Sequence, residues 1–201
     1  MSEERKDYTK VLLDLYGNAL EAHYSILHLA SATGLGDSER TVIDLATRIV
    51  ATKDNVVWRA ESVANLYLIS AAVAGRKPDR RKVRRLLYLA RRIRAMAESI
   101  DREGRRGNVD LMFQYDKIAE RYVKGLIESG KNLMTFYNKA RALLSETAEL
   151  SQELLSEASD NLAAIGILPR KRILEEFVES VSDIGKLSQP IDDNERSEAD
   201  Q

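Results

Sequence analysis

The sequence predicts an all-α fold, an elongated antiparallel bundle of five or six long helices joined by short loops. Three observations carry this reading. Apolar residues recur at three- and four-residue steps through most of the chain. Glycine and proline are sparse, 10 and 3 in 201 residues, and fall where one periodic stretch gives way to the next. No stretch alternates apolar and polar residues over strand length between turn signals. This length suits a single domain with a sizeable core. Residues 1–187 are expected to form one bundle, and 188–201, with five acids and one arginine, a disordered acidic tail.

The first helix is expected over about Glu4–Ala32. Tyr8, Leu12, Leu15, Ala19, Ala22, Ile26 and Leu29 line one seam. Leu13, Tyr16, Leu20, His23, Leu27 and Ala30 form a second stripe beside it. A face this wide implies a central place in the bundle or a contact with another copy. After a turn at Thr33–Ser38, in which Asp37 or Ser38 can cap, a second helix is expected to run unbroken over about Glu39–Ala74. The polar turn Lys53-Asp54-Asn55 contains no strong breaker, and Gly75 and Pro78 end the helix. A third helix is expected over about Asp79–Glu103, followed by the loop Gly104-Arg105-Arg106-Gly107. Asn108 is the expected cap of the fourth, which carries Leu111, Tyr115, Ile118, Tyr122 and Leu126. Gly130 divides or kinks the chain before a fifth helix over about Asn132–Ile165. Gly166 and Pro169 stop that one, and a short sixth is expected over about Arg170–Lys186.

The residues of common catalytic sites are missing from their usual spacings. With no cysteine there is no disulfide, thiolate metal site or cysteine nucleophile, and a reducing cytoplasm is the expected location. His23 and His28 lie five apart on one helix, which splays them instead of pairing them on a metal. Leu20 and Ser25 stand where a ferritin-like site needs glutamates. Glu146, Glu149, Glu153, Glu157 and Asp160 step at helical spacing and read as a solvated acidic stripe. Gly34-Leu35-Gly36 follows no strand and lacks the third glycine of a phosphate loop. No nucleophile elbow is present. A non-enzyme without cofactor or metal is therefore expected. The best apolar stretch, Leu66–Ala74, is too short for a membrane span, and the charged opening Met1–Asp7 has no apolar run behind it, so no secretory signal is expected.

The net charge of −1 conceals an asymmetry. Between Arg76 and Arg106 stand 13 basic residues and four acids, a block of +9 against −10 for the remainder. On a helical projection from Arg80 at 0°, Arg91, Arg84, Tyr88 and Arg81 fall within about 100°, with Arg92 and Arg85 at about 120° and 140°. Val83, Leu86, Ala90, Ile93, Ala97 and Ile100 occupy about 200–300°. One half of this helix packs and the other forms a cationic stripe with a tyrosine inside it.

Arginine outnumbers lysine 11 to 2 in the block. Guanidinium binds phosphate bidentately and stacks on bases, whereas ammonium acts as a point charge. The expected function is non-catalytic binding of RNA or single-stranded DNA, as a small subunit of a larger assembly. Arg80, Arg81, Arg84, Arg85, Arg91 and Arg92 would hold phosphates, with Arg105 and Arg106 as a flexible clamp and Tyr88 as a stacking group. Two other readings stay open. The acidic stripe 146–160 can neutralise the arginines within or between chains, or the bundle can be an oligomeric scaffold or adaptor for protein partners. A membrane surface is disfavoured because the basic helix lacks Trp and Phe on its exposed edge. A helix-turn-helix around Gly166–Pro169 is disfavoured by Glu175, Glu176, Glu179 and Asp183 on its second helix.

Overall fold

A computed structural model of the chain describes residues 3–31, 38–107, 109–111 and 113–168. Helices cover Glu3–Ser31 (α1), Glu39–Ala51 (α2), Val56–Val73 (α3), Arg80–Gly104 (α4), Tyr115–Glu128 (α5) and Leu133–Ala164 (α6), with a 3-10 turn at Val109–Leu111. Among the described residues there is no strand, and the helices pack on one another as a bundle. The expected sixth helix over 170–186, the acidic tail and Asn108 lie outside the described residues.

The expected second helix is two. Thr52 ends α2, its hydroxyl donating to the Ile49 carbonyl at 2.9 Å, and the Asn55 and Val56 amides turn back onto the Thr52 carbonyl. Threonine, aspartate and asparagine compete with the helical ladder for backbone hydrogen bonds, so four polar residues in a row break it without glycine or proline. The turn gains an ion pair in exchange: Lys53 Nζ lies 3.0 Å from Asp101 Oδ2 near the end of α4. The fourth helix also differs from expectation, starting at Tyr115 behind the 3-10 turn instead of beside position 108. Other boundaries follow their capping chemistry. Ser38, Asp79 and Asn132 each accept an amide of the first turn, and Gly75, Gly130 and Gly166 take the left-handed conformation behind α3, α5 and α6.

The central elements are α4 and α6, not α1. α4 packs against α2, α3, α5 and α6, and α6 against all five other helices, whereas α1 packs on α3 and α6. Leu86, Leu89, Ala90, Ile93, Ala97 and Ile100 of α4 are at most 1% exposed. A large aliphatic side chain buried this fully stabilises the fold by roughly 1.5–3 kcal/mol. One part of the core joins α2, α5, the second half of α4 and the first half of α6 to the last turn of α1. The second stripe on α1 splits accordingly: His23 and Ala30 are buried, while Leu13 and Leu27 remain 41% exposed.

Two contacts fix helix positions sharply. Gly104 is buried at the α4–α5 crossing, where a Cβ would lie 2.2 Å from the Ile118 carbonyl oxygen, so it belongs to the helix packing and not to the loop expected there. His23 is 6% exposed and its Nδ1 lies 3.1 Å from Ser151 Oγ of α6.

Gly104→Ala should destabilise the protein by about 1–3 kcal/mol or more through overpacking, read from the shift in denaturation midpoint. Burial holds His23 below the ordinary imidazole value of 6.5. The unfolded chain therefore takes up a proton that the fold rejects, and stability falls as pH drops below about 6.5. Denaturation at pH 7.5 and 5.5 should show a loss in the native protein that is smaller in His23→Gln.

Candidate nucleic-acid interface

The position of the basic helix is set by its N-terminal corner. Asp79 caps α4 by accepting the Arg81 amide at 2.8 Å. The Asp79 amide in turn donates to the Tyr67 hydroxyl of α3 at 2.8 Å. In the preceding loop the Arg76 guanidinium donates to Asn161 Oδ1 of α6 at 3.0 Å, and Asn161 Nδ2 reaches Ser70 Oγ of α3. These bonds tie the α3–α4 connection to two helices, so the first turn of α4 leaves the bundle at a fixed place.

From this corner the arginines project as the helical spacing requires. Arg80, Arg81, Arg84, Arg85, Arg91, Arg92 and Arg94 are all exposed. Tyr88, 49% exposed, stands among them. The acidic stripe of α6 covers only one flank. Lys82 lies 2.6 Å from both Glu153 and Glu157, and those two hydrogen bonds raise its pKa. Arg85 makes a bidentate pair with Glu146, at 2.6 and 2.8 Å, and its guanidinium lies 5.5 Å from the centre of the Tyr88 ring. Arg94 pairs along its own helix with Glu98 at 2.9 Å.

The remaining cations have no carboxylate on them among the described residues. Arg80, Arg81, Arg84, Arg91 and Arg92 form this set on the outward face of α4, extended by Arg102 and Arg106 at its far end. Internal neutralisation by α6 therefore accounts for Lys82 and Arg85 and, among the described residues, leaves Arg80, Arg81, Arg84, Arg91 and Arg92 without a carboxylate. Arg85 is thus tied to α6 within the bundle. Arg105 is not the flexible clamp expected of it: its Nε donates to Asp101, which also accepts Lys53. Burial raises the Asp101 pKa, but the hydrogen bonds from Arg105 and Lys53 outweigh it and hold the carboxyl below its usual range.

Sequence reasoning missed the surface beside the stripe. Leu68 and Ala72 of α3, Pro78 of the connection and Val83 of α4 line an open groove of about 520 Å³, bordered by Arg76, Arg80 and Arg84. A second depression, on the other side of Arg80, is lined by Lys77, Pro78, Asp79, Arg80 and Arg81. Only the exposed cluster Arg76-Lys77 next to Pro78 hinted at it in the sequence. Among the described residues no group of His, Asp and Glu is placed to hold a metal ion, and no helix is long and apolar enough to cross a membrane. No known protein family, curated protein or solved structure matches the chain.

The α4–α6 ion pairs are solvent-exposed and screened by salt, so each contributes little to stability. Lys82→Ala should change stability by no more than about 1 kcal/mol at low salt. The difference should vanish at molar salt, and denaturation at the two ionic strengths measures it.

Proposed function

We propose that the chain binds RNA or single-stranded DNA without catalysis, through the outward face of α4. One observation carries this reading. Arg80, Arg81, Arg84, Arg91 and Arg92 lie exposed on one side of a single helix, while the acidic helix packed beside it pairs only with Lys82 and Arg85. Like charges gathered this way repel one another, and a polyanion relieves that repulsion. Tyr88 supplies a ring face within the stripe, which suits unpaired bases better than a duplex.

The test is fluorescence anisotropy on a labelled single-stranded oligonucleotide of mixed sequence over a range of salt concentrations. Four or five neutralised phosphates give a slope of log affinity against log salt of about −3. Arg84→Glu with Arg91→Glu should weaken binding at least about tenfold and flatten the slope by roughly 1.4. A salt-independent or absent interaction overturns the reading.

A second reading, an oligomeric scaffold, draws on α1, where Leu13 and Leu27 stay partly exposed at heptad spacing with Leu20 between them. It expects a multimer in light scattering that Leu13→Lys with Leu27→Lys converts to monomer.

A further inference from the structure

The groove between α3 and α4 has a composition that phosphate binding alone does not require. Its floor is aliphatic, made of Leu68, Ala72, Pro78 and Val83, and its border is cationic, made of Arg76, Arg80 and Arg84. At about 520 Å³ and open to solvent, it has room for a planar ring. The three arginines carry no carboxylate among the described residues, and Arg76 is pinned in place by Asn161. The walls are equally constrained: Tyr67 holds the Asp79 amide, which sets the distance between the end of α3 and the start of α4.

An occupant must bring a flat or apolar group and a negative charge within a few ångströms of each other. Arg80 and Arg84 stand one turn apart, about 6 Å along the axis, so a flexible strand can rest successive phosphates on them. In that pose an intervening base turns away from the helix axis of α4 toward α3 and meets the aliphatic floor. A duplex cannot offer this, because its bases are stacked and paired behind the backbone. We propose that the α3–α4 groove receives an unpaired nucleobase of a single-stranded nucleic acid whose flanking phosphates lie on Arg80 and Arg84. This rests on the nucleic-acid reading above and adds a base-contacting site separate from Tyr88.

Ala72 is exposed on the groove floor, so Ala72→Gln fills the space with an uncharged, non-aromatic side chain while leaving the packed face of α3 and every arginine unchanged. Circular dichroism and the denaturation midpoint verify the fold. Anisotropy is then measured for wild type and variant with a mixed-sequence single strand, its duplex and an abasic single strand of equal length. Wild type should bind the normal strand about tenfold or more tightly than the abasic one, toward the low end of what one base contact contributes. Ala72→Gln should reduce that difference severalfold, leaving the share that Tyr88 contributes, and leave affinity for the abasic strand and the duplex as it was. An unchanged ratio of normal to abasic affinity in Ala72→Gln overturns the groove site while the phosphate reading stands, with the base contact then resting on Tyr88. No binding of any of the three probes by wild type overturns both.

Discussion

Everything on the surface of this bundle follows from how α4 is buried. The helix is packed by four others, and its aliphatic residues occupy little more than one side. That packing sets the rotation of α4 about its axis, and with it the direction of every residue outside the packed sector. The arginines point outward together because Leu86, Ile93 and Ile100 point inward together. A helix that carries much of the core is thus also the helix that carries the charge. The electrostatic cost of this arrangement is reduced by exposure, because solvent and salt screen charges on an open face.

The acidic face of α6 decides how much of the charge remains. Its carboxylates reach α4 from one side, and Glu146, Glu153 and Glu157 take Arg85 and Lys82. Arg80 and Arg84 lie farther around the helix from this contact, on the side of α3, whose sequence Val56–Val73 holds only one acid, Glu61. Among the described residues, a neutralised flank of α4 is thus separated from one that carries no carboxylate. The groove opens on the second flank, where an almost uncharged helix meets a cationic one.

Much of this was legible in the residues alone, and the failures have physical causes. The projection of α4 placed its arginines and Tyr88 outside and its aliphatic residues inside, because a helix fully packed on one side obeys its periodicity. The break at Thr52–Asn55 was not legible, since its gain comes from Lys53 reaching Asp101 nearly fifty residues away. Arg105 was misread for a nearer cause: its carboxylate, Asp101, stands four residues before it, and the loop expected from Gly104 onward hid that helical spacing. The wide apolar surface of α1 was ambiguous between a central and a peripheral helix, a matter of topology that periodicity does not encode. The groove was invisible because it exists only where the end of one helix meets the start of the next.

Along α6 runs a line of small polar groups that face other helices: Ser151 toward His23, Ser159 with its Oγ 3.4 Å from Tyr16 Oη, and Asn161 between Ser70 and Arg76. Purely aliphatic interfaces tolerate a slide of one helical turn, since one leucine replaces another. Here such a ratchet would strand several donors and acceptors in a dry interior at once. The helices are keyed to a single register, which fixes the backbone positions from which the arginine side chains of α4 extend.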